Sequence, residues 1–196
     1  MVNQAIAFVL DALFSIFILT ALLRFWMQAF RAPTRNPIAQ FTMALTDWAV
    51  KPLRRVIPGL LNLDWASLVV AWAFEFLLQF LLLLIAGGKP LDNPSVLSIL
   101  LFLSLVKMVR LSIYIFMGAI IIGAVLSWVQ NAHHPFAPFF DALTRPFLRP
   151  LQRAIPPIGG VDITPVLALI AFQLVLMLPV TWLEVESSRM AARALL

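Results

Sequence analysis

The stretch Trp65–Ile85, WASLVVAWAFEFLLQFLLLLI, is 21 residues long and contains one charged residue, Glu75. A helix of about 20 mostly apolar residues can cross the hydrocarbon core of a bilayer, which is about 30 Å thick. This stretch therefore predicts a transmembrane helix. Three further segments have the same character, at about residues 6–30, 111–129 and 166–183. The sequence thus predicts an all-α polytopic membrane protein with four transmembrane spans.

The composition agrees with a membrane protein and limits the chemistry available to it. Apolar residues make up 62% of the chain and charged residues 12%, whereas soluble domains contain about 25% charged residues. The chain has no cysteine, and its two histidines, His133 and His134, are adjacent. Disulfides and thiolate metal sites are therefore excluded. The sequence also lacks a glycine-rich phosphate loop and a nucleophile motif. We assign no catalytic, cofactor-binding or metal-binding residue, and we expect neither an enzyme nor a nucleic-acid-binding protein.

A comparison of the chain with itself at a shift of 98 residues shows an internal repeat. Residues 52–58, PLRRVIP, match residues 150–156, PLQRAIP, and Asp64 matches Asp162. Shared apolar composition does not produce matched proline, arginine and aspartate in a polar connector. We therefore predict two parallel repeats, each made of a span, an amphipathic connector and a second span. The predicted order is a first repeat at 6–87 with its connector at 37–58, a linker with an apolar helix at 88–110, a second repeat at 111–183 with its connector at 135–156, and a short tail at 184–196.

The distribution of basic residues predicts the orientation of the chain. Each repeat has two spans, so both connectors are expected on the same side of the membrane. The two connectors, with the residues just before the first, contain eight arginines and lysines, against three on the opposite side. The positive-inside rule then predicts cytoplasmic connectors and periplasmic termini.

Residues 95–106 are nearly all apolar but too few to cross a bilayer, and Lys107 and Arg110 follow them. One interpretation is a long helix whose outer part lies in the interface, re-enters or bends against the bundle, with both cations at the outer headgroups. A fifth crossing is the alternative. It would place the two similar connectors on opposite sides of the membrane, so we favour the first interpretation.

The connectors have the pattern of surface helices. Ile38, Phe41, Leu45 and Trp48 recur at helical spacing in the first, and Phe139, Leu143 and Phe147 do so in the second. Such helices lie in the membrane surface with their apolar face a few ångströms deep. Each connector is expected to end in a motif with a proline at both ends. Pro52 and Pro150 are predicted to end the helices, Pro58 and Pro156 close the motifs, and Asp64 and Asp162 are predicted to cap the following spans.

Arginines of the connectors are the candidate binding residues, namely Arg54, Arg55, Arg149 and Arg153. Arg55 and Arg153 occupy the same place in both repeats. One interpretation is that they bind the phosphate of anionic lipid headgroups bidentately. Another is that they dock a cytoplasmic partner. A third is that they are positive-inside anchors that also tie the connector to the capping aspartate.

Polar residues inside the spans are the remaining candidates, because such residues are costly in hydrocarbon. Glu75 lies about ten residues into the second span, and Gln173 is its counterpart in the second repeat. Arg24 lies in the inner half of the first span and is a candidate partner of Glu75. Glu75 is then either a carboxyl group that holds helices together or a proton or cation site at the axis between the repeats.

The connectors resemble those of the YggT family. The matching residues in the first repeat include 22–28 (LLRFWMQ), Asn36-Pro37, the 52–58 motif, Asp64 and Ser67; those in the second include 126–128 (LSW) and 159–165 (GGVDITP). The resemblance covers nearly the whole chain. It implies a bacterial cytoplasmic (inner) membrane protein of poorly defined function, in a family linked to osmotic or ionic stress tolerance, cell division and the assembly of membrane complexes. It carries no catalytic residue over to this chain.

Two functional hypotheses follow from these features. The first is a non-enzymatic membrane scaffold or assembly factor that binds anionic lipid headgroups and a membrane or cytoplasmic protein partner through its connectors. The second is a small ion or osmolyte transporter or channel component, for which several chains would have to assemble. A homo-oligomer therefore stays an open alternative, and no cofactor is expected.

Overall fold

The computed structural model describes residues 1–59, 63–128, 136–156 and 162–194. The histidine pair at 133–134, Pro135 and residues 159–161, which follow the second connector, lie outside these ranges. The regular elements of the described ranges are helices, and the second and fifth of them form the two connectors. In chain order the elements are α1 (Val2–Ala29), α2 (Pro37–Arg54), α3 (Trp65–Ile85), α4 (Pro94–Trp128), α5 (Ala137–Ala154), α6 (Thr164–Val175), a π-helical turn (Leu176–Val180) and α7 (Thr181–Ala194).

Four helical segments are long and apolar enough to cross a membrane: Val2–Ala29, Trp65–Ile85, Pro94–Ser127 and Thr164–Ala194. They contain the four predicted spans. The expectation of a helical membrane protein with four spans is therefore confirmed. The chain is a multi-pass membrane protein.

Residues 95–106 do not form a separate element. They are the first part of α4, a single helix of 35 residues, which at 1.5 Å per residue is about 52 Å long. This matches the long-helix interpretation, and no fifth crossing occurs in residues 94–128, which the structure describes as one helix. The helix exceeds the thickness of the hydrocarbon core by about 20 Å.

The fourth membrane helix also extends beyond its predicted end. After the π-helical turn, which contains Pro179, the chain continues as α7 to Ala194. The hydroxyl of Thr181 donates a hydrogen bond of 2.8 Å to the carbonyl oxygen of Leu176, five residues back. Proline lacks a backbone N–H, and a π turn is a common way to accommodate such a gap within a helix. The residues predicted as a tail therefore begin as a continuation of this helix.

Matched contacts recur in the two repeats. The rings of Phe14 and Phe74 lie 5.7 Å apart between α1 and α3, and those of Phe116 and Phe172 lie 6.2 Å apart between α4 and α6. Phe74 and Phe172 are separated by the 98-residue shift found in the sequence. The same packing of two spans is therefore used twice.

The two repeats are offset along their helices. Trp26, near the end of α1, donates a hydrogen bond of 3.0 Å from Nε1 to Oγ of Ser112, and its ring lies 4.9 Å from that of Phe116. Before the connectors the repeats match at a shift of 102 residues, as Trp26 and Trp128 show, because the first repeat has a short insertion ahead of its connector. Phe116 therefore corresponds to Phe14, which precedes Trp26 by twelve residues. The end of α1 thus lies beside the middle of α4, an offset of about 18 Å between matched positions. As a result, the first half of α4 packs on the first repeat, and its second half packs against α5 and α6.

Candidate functional site

Arg24 is the centre of a buried polar network where α1, α2 and the start of α3 meet. Its side chain is 7% exposed. Its Nη1 donates hydrogen bonds of 2.8 Å to Oγ1 of Thr46 and to Oδ1 of Asp47, and its Nε lies 3.5 Å from Oδ2 of Asp64. The predicted pairing of Arg24 with Glu75 is therefore wrong. Arg24 lies near the end of α1, level with the start of α3, whereas Glu75 lies ten residues further along α3.

Asp64 caps α3, as predicted, and has a second role as the anion of the network. It is 1% exposed. Its Oδ1 accepts hydrogen bonds from the backbone N–H of Ser67 (3.4 Å) and from Nε of Arg54 (3.0 Å), and its Oδ2 accepts one from Oγ of Ser67 (2.5 Å) and pairs with Nη2 of Arg54. Burial raises the pKa of Asp64, but the hydrogen bonds from Arg54 and Ser67 outweigh burial, so that the net pKa lies below its ordinary value. The carboxylate is held ionised.

The first connector is tied to the capping aspartate, but through Arg54 rather than Arg55. We call the ion pairs of Asp64 with Arg54 and Arg24, together with the pair of Arg24 and Asp47, the clamp. The hydrogen bond to Asp64 raises the pKa of Arg54. In the second repeat Gln152 takes the place of Arg54, and its Nε2 donates a hydrogen bond of 2.9 Å to Asp162. Among the described residues, neither Arg55 nor Arg153 forms an ion pair, and both are exposed. In the third interpretation, the tie to the capping aspartate is thus correct in kind but wrong in residue, and the role of these arginines as positive-inside anchors stays a prediction.

Asp162 bonds the first amide of its span from one residue before the N-cap position, which is Ile163. Its Oδ1 accepts hydrogen bonds from the backbone N–H of Thr164 (2.8 Å), the first residue of α6, and from the Thr164 hydroxyl (2.6 Å). Burial raises the pKa of Asp162, and the hydrogen bonds from Thr164 and Gln152 lower it to a net value below the ordinary one. Unlike Asp64, this exposed carboxylate has no cationic partner among the described residues.

A second carboxylate joins α2 to the network. Asp47 accepts the hydrogen bond from Arg24 and pairs with Lys51, one turn further along α2, at 2.7 Å. The hydrogen bond from Lys51 lowers the pKa of Asp47, burial opposes it, and Arg24 lowers it further. The connector helix is therefore tied to α1 through Asp47 and to α3 through Arg54.

The prolines do not end the connector helices. Asn36 begins α2 by accepting a hydrogen bond of 2.9 Å from the N–H of Ala39. The helix then runs two residues past Pro52, and α5 runs four residues past Pro150. The prediction that these prolines terminate the helices is wrong, because a proline in the last turn removes one backbone hydrogen bond without preventing the next residues from remaining helical. Pro58 and Pro156 lie exposed beyond the helix ends.

The connector α2 packs with its small residues inward and its apolar stripe outward. Its buried residues are Ala39, Thr42, Thr46 and Val50. Phe41 and Trp48 are 61% and 64% exposed. We call Phe41, Leu45 and Trp48 the outward face of α2. Phe41 and Trp48 thus face outward as predicted for the amphipathic helix, whereas Ile38 of the same predicted stripe packs inward.

The connector α5 does the opposite. Phe139 and Leu143, the counterparts of Phe41 and Leu45, are each 1% exposed and pack in one cluster with Met27, Ala32 and Ala119. The prediction that α5 presents this face to the membrane is wrong. The offset between the repeats places α5 against the end of α1, which covers its apolar side. Arg149 is exposed and, in the described part of the chain, makes no ion pair.

A second polar cluster lies between α3 and α4. Nε2 of Gln79 donates a hydrogen bond of 2.7 Å to Glu75, and Nζ of Lys107 donates one of 2.9 Å to Oε1 of Gln79. Glu75 is 6% exposed, whereas its repeat counterpart Gln173 is exposed. Their matched position within the membrane stays a prediction, but their surroundings differ, since only Glu75 is buried. The i, i+4 spacing of Glu75 and Gln79 was the signal available in the sequence.

The two cations of α4 contact neighbouring helices, and their expected position at the outer headgroups stays a prediction. Lys107 reaches Gln79 on α3. Arg110 pairs with Glu184 at 2.7 Å and donates a hydrogen bond of 2.9 Å to the hydroxyl of Thr181. Both residues join helices to each other. In the described ranges, no group of three or more His, Cys, Asp or Glu side chains is placed to hold a metal ion.

Comparisons with known proteins identify relatives along most of the chain. The model of the CCB3/YggT family matches residues 3–85 and 102–183. An uncharacterised protein of Vibrio alginolyticus is 34% identical over 170 residues, covering 87% of this chain and 90% of its own. An uncharacterised protein of Pseudomonas aeruginosa is 34% identical, covering 90% and 88% of the two chains. The uncharacterised protein YggT of Escherichia coli strain K12 is 32% identical, covering 84% and 83%. No solved structure matches.

The two segments matched by the family model overlap the two predicted repeats, although the second segment begins at residue 102, within the predicted linker. They include Arg24, Asp64 and Glu75 in the first and Asp162 in the second. The buried clamp of the first repeat and its weaker form in the second therefore lie within the matched segments. The chain belongs to the CCB3/YggT family.

Proposed function

We propose that this protein is a non-enzymatic scaffold or assembly factor of the bacterial inner membrane. The observation that carries the proposal is the clamp on α2. Ion pairs that each have one buried partner, Arg24 or Asp64, fix this helix to α1 and α3, while its outward face stays exposed. A surface that is rigid and exposed is suited to holding a partner, because little conformational entropy is lost on binding.

The basic residues support an orientation with the connectors in the cytoplasm and the termini in the periplasm. In that orientation Arg55, Arg149 and Arg153 extend from the connectors toward anionic headgroups, which attract such residues by about 1 kcal/mol each. In this orientation the outward face of α2 lies at the cytoplasmic surface of the membrane, where it can contact lipid or the helices of a partner. Envelope assembly, osmotic-stress tolerance and cell division are the processes to which the family resemblance connects such a scaffold.

Site-specific photo-crosslinking tests the scaffold role. A photoreactive phenylalanine analogue at position 41, on the outward face of α2, is expected to form one discrete protein adduct in host membranes, identified by mass spectrometry as a membrane or envelope protein. The matched control carries the analogue at Val166, which is 57% exposed on α6, and is expected to react with lipid alone. Lipid adducts alone at both positions would contradict the scaffold role.

The hydrogen-bonded side chains of Glu75, Gln79 and Lys107 favour a second candidate function, that of a small ion or osmolyte transporter. Buried ionisable residues within spans often mark ion pathways. Purified protein in liposomes distinguishes the two functions by potassium, sodium and proton flux. A scaffold is expected to give no flux above protein-free liposomes. Flux that is abolished by Glu75→Gln and retained by Asp11→Asn, an exposed carboxylate of α1, would replace the scaffold with the transporter.

A further inference from the structure

A basic cleft opens beside the clamp, between the end of α1 and α2. Its volume is about 570 Å³, and three arginines line it: Arg24, Arg31 and Arg54. Gln28 and Thr34 add polar groups, and Met27 and Met43 form part of an apolar wall. Among the described residues that line this cleft, none carries a carboxylate.

The charges around the cleft are not balanced. Asp64 and Asp47, which do not line the cleft, pair with Arg24, Arg54 and Lys51. Arg31 forms no ion pair with a described residue. Arg24 contributes a guanidinium that is 7% exposed, held by three partners. An anion in the cleft would therefore contact the Arg24 guanidinium, which its three partners hold in position. It would also contact the Arg31 guanidinium, which pairs with no described carboxylate.

The backbone of Arg31 shows that its position is costly. Its φ is 53°, in the left-handed region. The N–H of Ala32 donates to the carbonyl oxygen of Met27 at 2.8 Å and that of Arg31 to Gln28 at 3.2 Å, the pattern of a Schellman motif with Arg31 in the place that glycine usually takes. A residue with a Cβ is disfavoured there by about 1 kcal/mol. Strain of this kind persists where the side chain has a use.

The second repeat shows that the fold does not impose these arginines. The corresponding cleft, between α4, α5 and the start of α6, has a volume of about 530 Å³ and is lined by Asp141 and Asp162. Leu126 stands where Arg24 stands in the first repeat, and Gln152 where Arg54 stands. Two clefts in matched places therefore differ in charge.

We propose that the cleft of Arg24, Arg31 and Arg54 binds a phosphate-bearing anion, either the headgroup of an anionic phospholipid or free phosphate. Guanidinium groups bind phosphate oxygens through paired, charge-assisted hydrogen bonds. The end of α1 and the start of α3 place the cleft where an apolar span gives way to polar connector, the level of lipid headgroups. Its apolar wall suits the glycerol and first methylenes of a lipid. The anion site does not depend on the scaffold role. Crosslinking to a partner tests the scaffold role, and titration with anions tests the site, so either can fail while the other holds.

Arg31→Gly is the informative variant. Glycine preserves the Schellman geometry and removes the guanidinium, so the protein is expected to fold as well as the wild type. Arg35→Ala is the control, because Arg35 is an exposed cation four residues further on that does not line the cleft. The purified full chain in neutral detergent is titrated by calorimetry with inorganic phosphate in one arm and with short-chain phosphatidylglycerol in the other.

We expect saturable binding in at least one arm, weakened about tenfold by Arg31→Gly, as loss of a charge-assisted hydrogen bond implies, and unchanged by Arg35→Ala. Binding of phosphatidylglycerol alone assigns the site to a lipid headgroup, and binding of inorganic phosphate assigns it to the free anion. No saturable binding in either arm would overturn the proposal. So would an equal loss in both variants, which would indicate attraction to a generally basic surface.

Discussion

Asp64→Asn is expected to destabilise the protein by about 3–5 kcal/mol, the cost of removing one partner from a buried ion pair. The asparagine can still accept the hydrogen bonds that cap α3, because its side chain keeps one carbonyl oxygen. It loses the negative charge that Arg54 and Arg24 share, and Arg24 is then left with Asp47 alone in a buried site. The free energy of unfolding is measured by titration of the detergent-solubilised protein with sodium dodecyl sulfate.

The second repeat supplies the matched control for this variant. Asp162→Asn makes the same chemical change at the same place, but Gln152 and Thr164 are neutral partners. Its expected cost is about 1 kcal/mol or less, that of a weakened helix cap. Equal losses for the two variants would show that the clamp contributes through capping alone and that the buried charge pair adds nothing.

Phe139→Ala is expected to cost about 3–5 kcal/mol, the range for removing a large aromatic side chain from a packed interior. Phe139 is 1% exposed and lies in the cluster that joins α5 to the end of α1 and to α4. The cavity left by the ring cannot be filled without moving one of these helices. The same sodium dodecyl sulfate titration measures the loss.

Phe41→Ala is the control, since Phe41 is the repeat counterpart of Phe139 and is 61% exposed. Removing a side chain outside the packed interior is expected to change the unfolding free energy by about 0.5 kcal/mol or less. A large loss at Phe41 and a small one at Phe139 would mean that the connectors exchange roles in the membrane, with α2 packed and α5 exposed.

The helical membrane class and the four spans could be predicted from the sequence, because apolar length alone decides whether a helix can cross a bilayer. The caps at Asp64 and Asp162 were also predictable, since a cap acts on backbone groups two or three residues away. Both features are local. They do not depend on how the helices are placed relative to each other.

The partners of the charged side chains were not predictable, because they depend on that placement. Arg24 meets Asp47 and Asp64 rather than Glu75 because the end of α1 lies level with the start of α3. The sequence favours Arg55 over Arg54 as the partner of the aspartate, because arginine stands at position 55 in both repeats, whereas glutamine replaces Arg54 in the second. Arginine and glutamine both donate hydrogen bonds to the aspartate ten residues further on. The two repeats therefore share a hydrogen-bond donor at this position rather than a residue type.

The opposite environments of Phe41 and Phe139 were also not predictable, because they too depend on how the helices are placed relative to each other. The repeats match in residue type at these positions, so the sequence predicts one role for both. Only the offset between the repeats brings α5 under α1 and leaves α2 uncovered. How far one pair of spans slides along another is determined by the interlocking of many side chains, and no single residue reports it.

That offset bears on the lipid around the protein. An apolar slab about 30 Å thick cannot be centred on two helix pairs displaced by about 18 Å. The surrounding leaflets must bend or the helices must lean, and each ångström of mismatch costs a fraction of a kcal/mol. The thickness and stiffness of the host membrane thereby become part of what determines the protein's preferred shape.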